Sequence, residues 1–148
     1  MTLIRSMLPV VSERLIVIST SAPVVEAARL LSGARISLII ICDADGLMSG
    51  VVTKADVVRQ ISHCTGCSCT TMVADIMTRK VVSCRLDHQL VDVWASMRDN
   101  ALRQIPVVGH DARPVGVLYA NDALQVLLQE VKHEELLLRD YVMGMGYR

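Results

Sequence analysis

The chain has 148 residues, 52% of them hydrophobic and 20% charged, with no phenylalanine, one tryptophan and three tyrosines, and its 15 basic residues balance 15 acidic ones. A length of this order suits one domain that buries about 68–70% of the surface its unfolded chain exposes, so a core of Val, Ile, Leu, Met and Ala needs no disulfide staple. Zero net charge excludes the basic footprint of a general nucleic-acid binder, and the longest apolar stretch near the start, Leu15 to Ile18, is too short for a signal peptide or a membrane span, so a cytoplasmic protein is expected.

The first predicted element is a β-rich run, Leu15–Ile18, which leads through a polar turn into a helix with Pro23 near its first turn. That helix has Val24, Ala27, Ala28 and Leu31 at helical spacing, and Gly33 is its expected stop. "ISLIII" (36–41) and "MSGVV" (48–52), joined by the turn "DADG", predict a hairpin of two buried strands. Cys42, next to this apolar run, suits a reduced, buried thiol. A second helix begins near Lys54.

Then comes "HCTGCSCTT", which holds His63, Cys64, Cys67 and Cys69. Thiolate and imidazole are the donors that zinc and iron–sulfur clusters prefer, yet C-x2-C-x-C is not a finger pattern and no second pair follows nearby. An inert loop, a redox-sensitive thiol pair and a metal site all stay open here.

The same string of elements then returns. A run Val81–Cys84 leads to a helix for which Asp87 is the expected N-cap, with Leu90, Val91, Trp94 and Met97 on one side and Asn100 as its stop. "LRQIPVV" (102–108), the turn "HDAR" and "PVGVL" (114–118) make the second hairpin, and a further helix starts near Ala120. It runs on through the C-terminal stretch with Leu124, Leu127, Leu128, Val131, Leu138 and Tyr141 along one side, until Gly144 and Gly146 end it. A stripe of that length either lies back on its own domain or reaches a second subunit, and a dimer contact is favoured.

Sliding the chain along itself by 66 residues aligns Pro23–Val58 with Gln89–Leu124 without a gap, pairing Gly50 with Gly116, Val51 with Val117 and Asp56 with Asp122. Apolar positions meet apolar positions nearly throughout. The predicted architecture is therefore α/β (α+β): two pseudo-symmetric β-α-β-β-α repeats packed sheet to sheet, with an extended C-terminal helix. The expected divisions are a first repeat over 1–62, a Cys-rich connecting loop over 63–71, a second repeat over 72–128 and a helical tail over 129–148.

"VADIMTRKVV" (73–82), "RQIPVVGHDARPVGVL" (103–118) and the two "GVV/GVL…D" segments resemble a tandem pair of cystathionine-β-synthase-type (CBS) domains, the Bateman module. The resemblance runs from about Leu3 to Leu128. It implies a non-catalytic regulatory module, commonly a dimer, that binds adenosine-containing molecules such as AMP, ADP, ATP, NAD or S-adenosylmethionine and requires no cofactor. It also implies shared pockets, in which residues after the last strand of one copy hold ribose and phosphate while the other copy holds the base.

From chemistry alone, Asp56 in the first turn of a helix accepts hydrogen bonds only and suits a ribose diol, while Thr53 and the helix N–H groups suit phosphate. Thr-x-x-Asp at a helix start is equally an ordinary capping arrangement. On the family's pattern a first pocket joins Thr53, Lys54 and Asp56 to His88, Val93, Leu102, Arg103, Gln104 and Ile105, with Lys54 and Arg103 as phosphate cations or plain surface charges. A second joins Asp122 to Ala22, Pro23, Ala27, Ile36 and Ser37. There Tyr119 stands where the family has threonine, either to stack on a base or to fill the space, so two unequal pockets are expected. The resulting reading is a sensor that signals through an effector protein, with no nucleic acid and no membrane as partner. Its rivals are a structural dimer with empty pockets and a metal or redox sensor at His63, Cys64, Cys67 and Cys69.

Overall fold

The computed structural model describes residues 2–33, 35–63 and 70–146. A short 3-10 turn, Ile4–Met7, precedes helix α1 (Leu8–Glu13), followed by strand β1 (Val17–Ser19), helix α2 (Val24–Leu31), strands β2 (Leu38–Cys42) and β3 (Met48–Thr53) and helix α3 (Lys54–His63). After the connection, a second 3-10 turn, Val73–Asp75, opens the second unit: β4 (Cys84–Arg85), α4 (Leu90–Asp99), β5 (Gln104–Val108), β6 (Pro114–Tyr119) and α5 (Ala120–Gly146). β1 pairs parallel to β2 and β2 antiparallel to β3, and β4, β5 and β6 repeat that order in a second three-stranded sheet.

Alternation along β2 builds two cores at once. Ile39 and Ile41 join Ala27, Leu31 and Val52 beneath α2, whereas Leu38, Ile40 and Cys42 face Val117 of the other sheet. The sheets therefore pack face to face, as the repeat predicts. Ile105, Val107 and Leu118 close the second repeat's own core with Leu90, Val93 and Met97.

The leading segments cross over. Ile4, Met7 and Val11 lie in the core of the second repeat, and Val73 and Met77 lie in the core of the first. α2 and α4 have no side-chain cap, and their first N–H groups are satisfied from these leaders: Val24 donates to the Thr71 carbonyl at 2.9 Å and Leu90 to the Thr2 carbonyl at 2.9 Å. Each repeat's helix is thus capped by the backbone that leads into the other repeat.

Some local expectations shift. Asp87 does not cap α4. Gln89 holds that position without a side-chain bond, because residues 85–88 form a turn in which the His88 N–H donates to the Arg85 carbonyl and His88 Nδ1 accepts from the Arg85 N–H. α2 closes at Ser32, one residue before Gly33, whereas Asn100 does end α4, its side chain donating to the Ser96 carbonyl at 2.7 Å. α5 continues through Gly144 to Gly146 as one helix from Ala120. Its stretch 131–143 is exposed throughout, so among the described residues the tail does not lie back on its own domain.

The hairpin turns also match, with Gly46 at φ 82° and Ala112, its counterpart 66 residues on, at φ 62°. An alanine there carries the left-handed strain that glycine escapes. Ala112→Gly is expected to stabilise by up to about 1 kcal/mol, the relief of roughly 1–2 kcal/mol being offset by the freer unfolded chain. Gly46→Ala should destabilise by a similar amount. Urea denaturation reads both, and equal effects of the two changes would contradict the argument.

Candidate functional site

β3 delivers Thr53 to the N-cap of α3 and puts Asp56 in the helix's first turn, where its carboxylate is buried. Asp56 Oδ2 accepts from the Thr53 N–H at 2.9 Å and from the Thr53 hydroxyl at 3.1 Å. Among the described residues Asp56 Oδ1 meets only Arg59 Nη1, at 3.3 Å, and that arginine side chain is 66% exposed. Half of the capping box is formed, the Asp56 carboxylate accepting from the Thr53 N–H, and it occupies one carboxylate oxygen while leaving the other lightly held.

Around this carboxylate lies a cleft of about 350 Å³ between the sheets. Thr53 and Asp56 line it with Leu102, Arg103, Gln104 and Ile105 of the second repeat, over an apolar wall that includes Leu38, Val51 and Pro106. His88 and Val93 line an adjoining cleft of about 350 Å³ that shares Val82 and Ile105 with the first. Lys54 is directed elsewhere, into a cleft of about 640 Å³ between the starts of α3 and α5 that also takes in Ser37, Arg103, Gln104, Tyr119 and Asn121.

Thr78, Lys80, Val81 and Val82 also line the Asp56 cleft and are absent from the sequence-derived set. Their signal was the 66-residue offset, which aligns Lys80 with Arg14. Neither Lys80 nor Arg103 has an ion pair or side-chain hydrogen bond among the described residues.

The counterpart around Asp122 is built differently. Arg14 Nη2 lies 3.2 Å from Asp122 Oδ2 and donates to Oδ1 at 3.4 Å, while its guanidinium sits 4.3 Å from the centroid of the Tyr119 ring. The Tyr119 hydroxyl accepts from the Ser37 N–H at 3.2 Å and shares a hydrogen bond with the Ser37 hydroxyl at 3.1 Å. Ala22 and Ala27 are buried in the first repeat's core, Ile36 packs against it, and Pro23 is exposed at the bridge to Met72. Ala22, Pro23, Ala27, Ile36 and Asp122 line none of the clefts described above. Ala27 serves the core because α2 must bury its inner face beneath β2.

Cys64, Cys67 and Cys69 lie outside the described residues, and His63 ends α3. Cys42 and Cys84 are free, buried thiols. Burial, aided by Asp43, pushes the Cys42 thiol up, and burial pushes Cys84 up to about 12, so neither is a nucleophile at neutral pH.

The sequence profile of the CBS domain matches residues 4–63 and again residues 73–129. The chain belongs to the CBS domain family, as a tandem pair. The magnesium transporter MgtE of Thermus thermophilus is 31% identical to this CBS pair over 96 residues, which are 65% of this chain and 20% of that transporter. The crystal structure of the CBS domain pair of protein MJ0100 in complex with 5′-methylthioadenosine and S-adenosyl-L-methionine is similar with a TM-score of 0.71, 24% identity and coverage of 85% of this chain and 99% of that one. CBSX2, in complex with AMP, gives 0.72 at 22% identity, covering 87% and 98%. No helix among the described residues is long and apolar enough to cross a membrane.

Proposed function

We propose that the CBS pair is a regulatory sensor that binds an adenosine-containing nucleotide in the cleft at Thr53 and Asp56 and passes the bound state to an effector protein. One observation carries this reading: a cleft between the sheets joins a buried carboxylate and two unpaired cations, Lys80 and Arg103, to apolar walls from both repeats. Sites for small ligands are mostly apolar with a few placed polar groups, at volumes of this order. The carboxylate suits the ribose diol, the cations suit phosphate, and the wall through Val82 and Ile105 suits the base. The ligands of the MJ0100 pair and of CBSX2 share the adenosine moiety, which supports the choice of class.

A ligand that touches both repeats favours whichever arrangement of the sheets it fits better, and the partner reads that shift in population. It acts as a signal, so no cofactor and no catalytic step are assigned. Titration calorimetry against AMP, ATP, NAD and S-adenosylmethionine is expected to show saturable binding of at least one. No heat with any of the four would sink the reading.

The same reading includes a homodimer. Val58 and Ile61 on α3 are exposed, as are Leu124, Leu128, Val131, Leu138, Tyr141 and Val142 on α5, and apolar side chains gathered on helices in this way suit an interaction surface. Sedimentation velocity is expected to show a dimer, with Leu138→Glu weakening it; a monomer at all concentrations overturns this part. Buried free thiols at Cys42 and Cys84 suit a reducing compartment, which supports a cytoplasmic setting.

A further inference from the structure

The two halves of the pair place their charges in opposite ways. At the 66-residue offset Lys80 corresponds to Arg14, Thr53 to Tyr119 and Asp56 to Asp122. Around Asp56 the cation at 80 has no partner among the described residues and the cleft is open. Around Asp122 the cation at 14 lies on the carboxylate at 3.2 Å, over the tyrosine ring at 4.3 Å, and reaches the Arg35 carbonyl at 3.5 Å.

A guanidinium is flat, always charged, pairs with carboxylates and stacks on aromatic rings, and an ammonium does not combine these. Arg14 thereby takes the place a nucleoside would take there, with a hydrogen bond to Asp122 Oδ1 and its plane on the ring, while the buried Asp122 Oδ2 is met by the ion pair without a hydrogen bond. It follows directly after α1, whose Val11 is fixed in the second repeat's core, so little chain entropy opposes the contact. A tethered group also competes at an effective concentration in roughly the millimolar range.

We propose that Arg14 is a built-in occupant of the second site, so that each chain takes one nucleotide rather than two and Arg14 sets that stoichiometry. This rests on the nucleotide reading above. Calorimetry with AMP is expected to give one site per chain for the wild type and two for Arg14→Ala, the added site vanishing again in Arg14→Ala/Asp122→Ala. Retention of the first site's affinity within about twofold in Arg14→Ala shows that the fold is intact, and a count that stays at one in that variant overturns the proposal.

A ligand-free arm separates this from the function itself. The urea midpoints of Arg14→Ala, Asp122→Ala and the double variant are expected to be non-additive, the double losing no more than about the larger single. Additive losses overturn Arg14's place on Asp122. If no form of the protein takes up AMP, ATP, NAD or S-adenosylmethionine, the nucleotide reading fails, and this cycle alone decides whether the arginine holds the site; if one of the other three binds in place of AMP, the sites are counted with that ligand.

Discussion

Gly116→Ala is expected to lower stability by about 3 kcal/mol, the upper end of what overpacking costs. A Cβ at that position would lie 2.6 Å from the Val11 carbonyl oxygen and 2.7 Å from the Val11 carbonyl carbon. These are backbone atoms of α1, and α1 is held by Ile4, Met7 and Val11 in the second repeat's core, so the helix has no cheap way to retreat. The melting temperature should fall by roughly 6–12 °C. Gly109 is the control, since its added Cβ would meet nothing closer than 3.6 Å. Gly109→Ala is expected to be neutral or to stabilise by about 0.4–1 kcal/mol through the unfolded chain. Equal melting temperatures for the two variants would refute the close-approach argument. Gly50→Ala belongs with Gly116, because its Cβ would come within 2.7 Å of the Thr78 carbonyl oxygen.

The recurring Gly-Val pairs were readable as strand from the sequence, but their main physical duty was not. Each glycine is the place where the other repeat's leading segment lies flat on the sheet, a contact between residues far apart in the chain that no local pattern encodes. The hairpins were legible because alternation and turn chemistry are local; β5 falls inside the apolar run that predicted it, and β2 passes the end of its run by one residue, Cys42. The short parallel strands were misplaced for a related reason. Leu15 and Val81 are apolar because they pack between the sheets, while pairing is confined to Val17–Ser19 and Cys84–Arg85. Apolar character reports burial, and at a sheet edge burial and pairing part company.

Of the residues lining the candidate cleft, Thr53 and Asp56 were legible from the strand-to-helix chemistry, and Arg103 and Gln104 from the resemblance to the CBS pair. The 66-residue offset pairs Lys80 with Arg14, but what each does was not legible, because it depends on what each faces: an open cleft in one case, Asp122 and Tyr119 in the other. Unequal pockets were expected from Tyr119, whereas the arginine that lies against Asp122 and that ring sits in the leader of the first repeat, where no local pattern marked it.

Asp56→Ala is expected to weaken nucleotide binding by roughly 10–150-fold, since a hydrogen bond to a charged group contributes about 1.5–3 kcal/mol. The same substitution removes the acceptor of the Thr53 N–H and hydroxyl, and should cost about 1–2 kcal/mol of stability through the lost cap. Alanine alone therefore confounds a ligand contact with a structural one. Asp56→Asn separates them. Its amide oxygen can keep the two bonds to Thr53, so stability should stay within about 1 kcal/mol of wild type. Its amide nitrogen would stand where Oδ1 now faces only an exposed arginine, and a donor there cannot accept from a ribose hydroxyl. Binding measured by calorimetry should therefore fall in the asparagine variant nearly as far as in alanine, while urea denaturation stays close to wild type. An asparagine variant that binds as tightly as wild type would show that the buried carboxylate serves the helix alone.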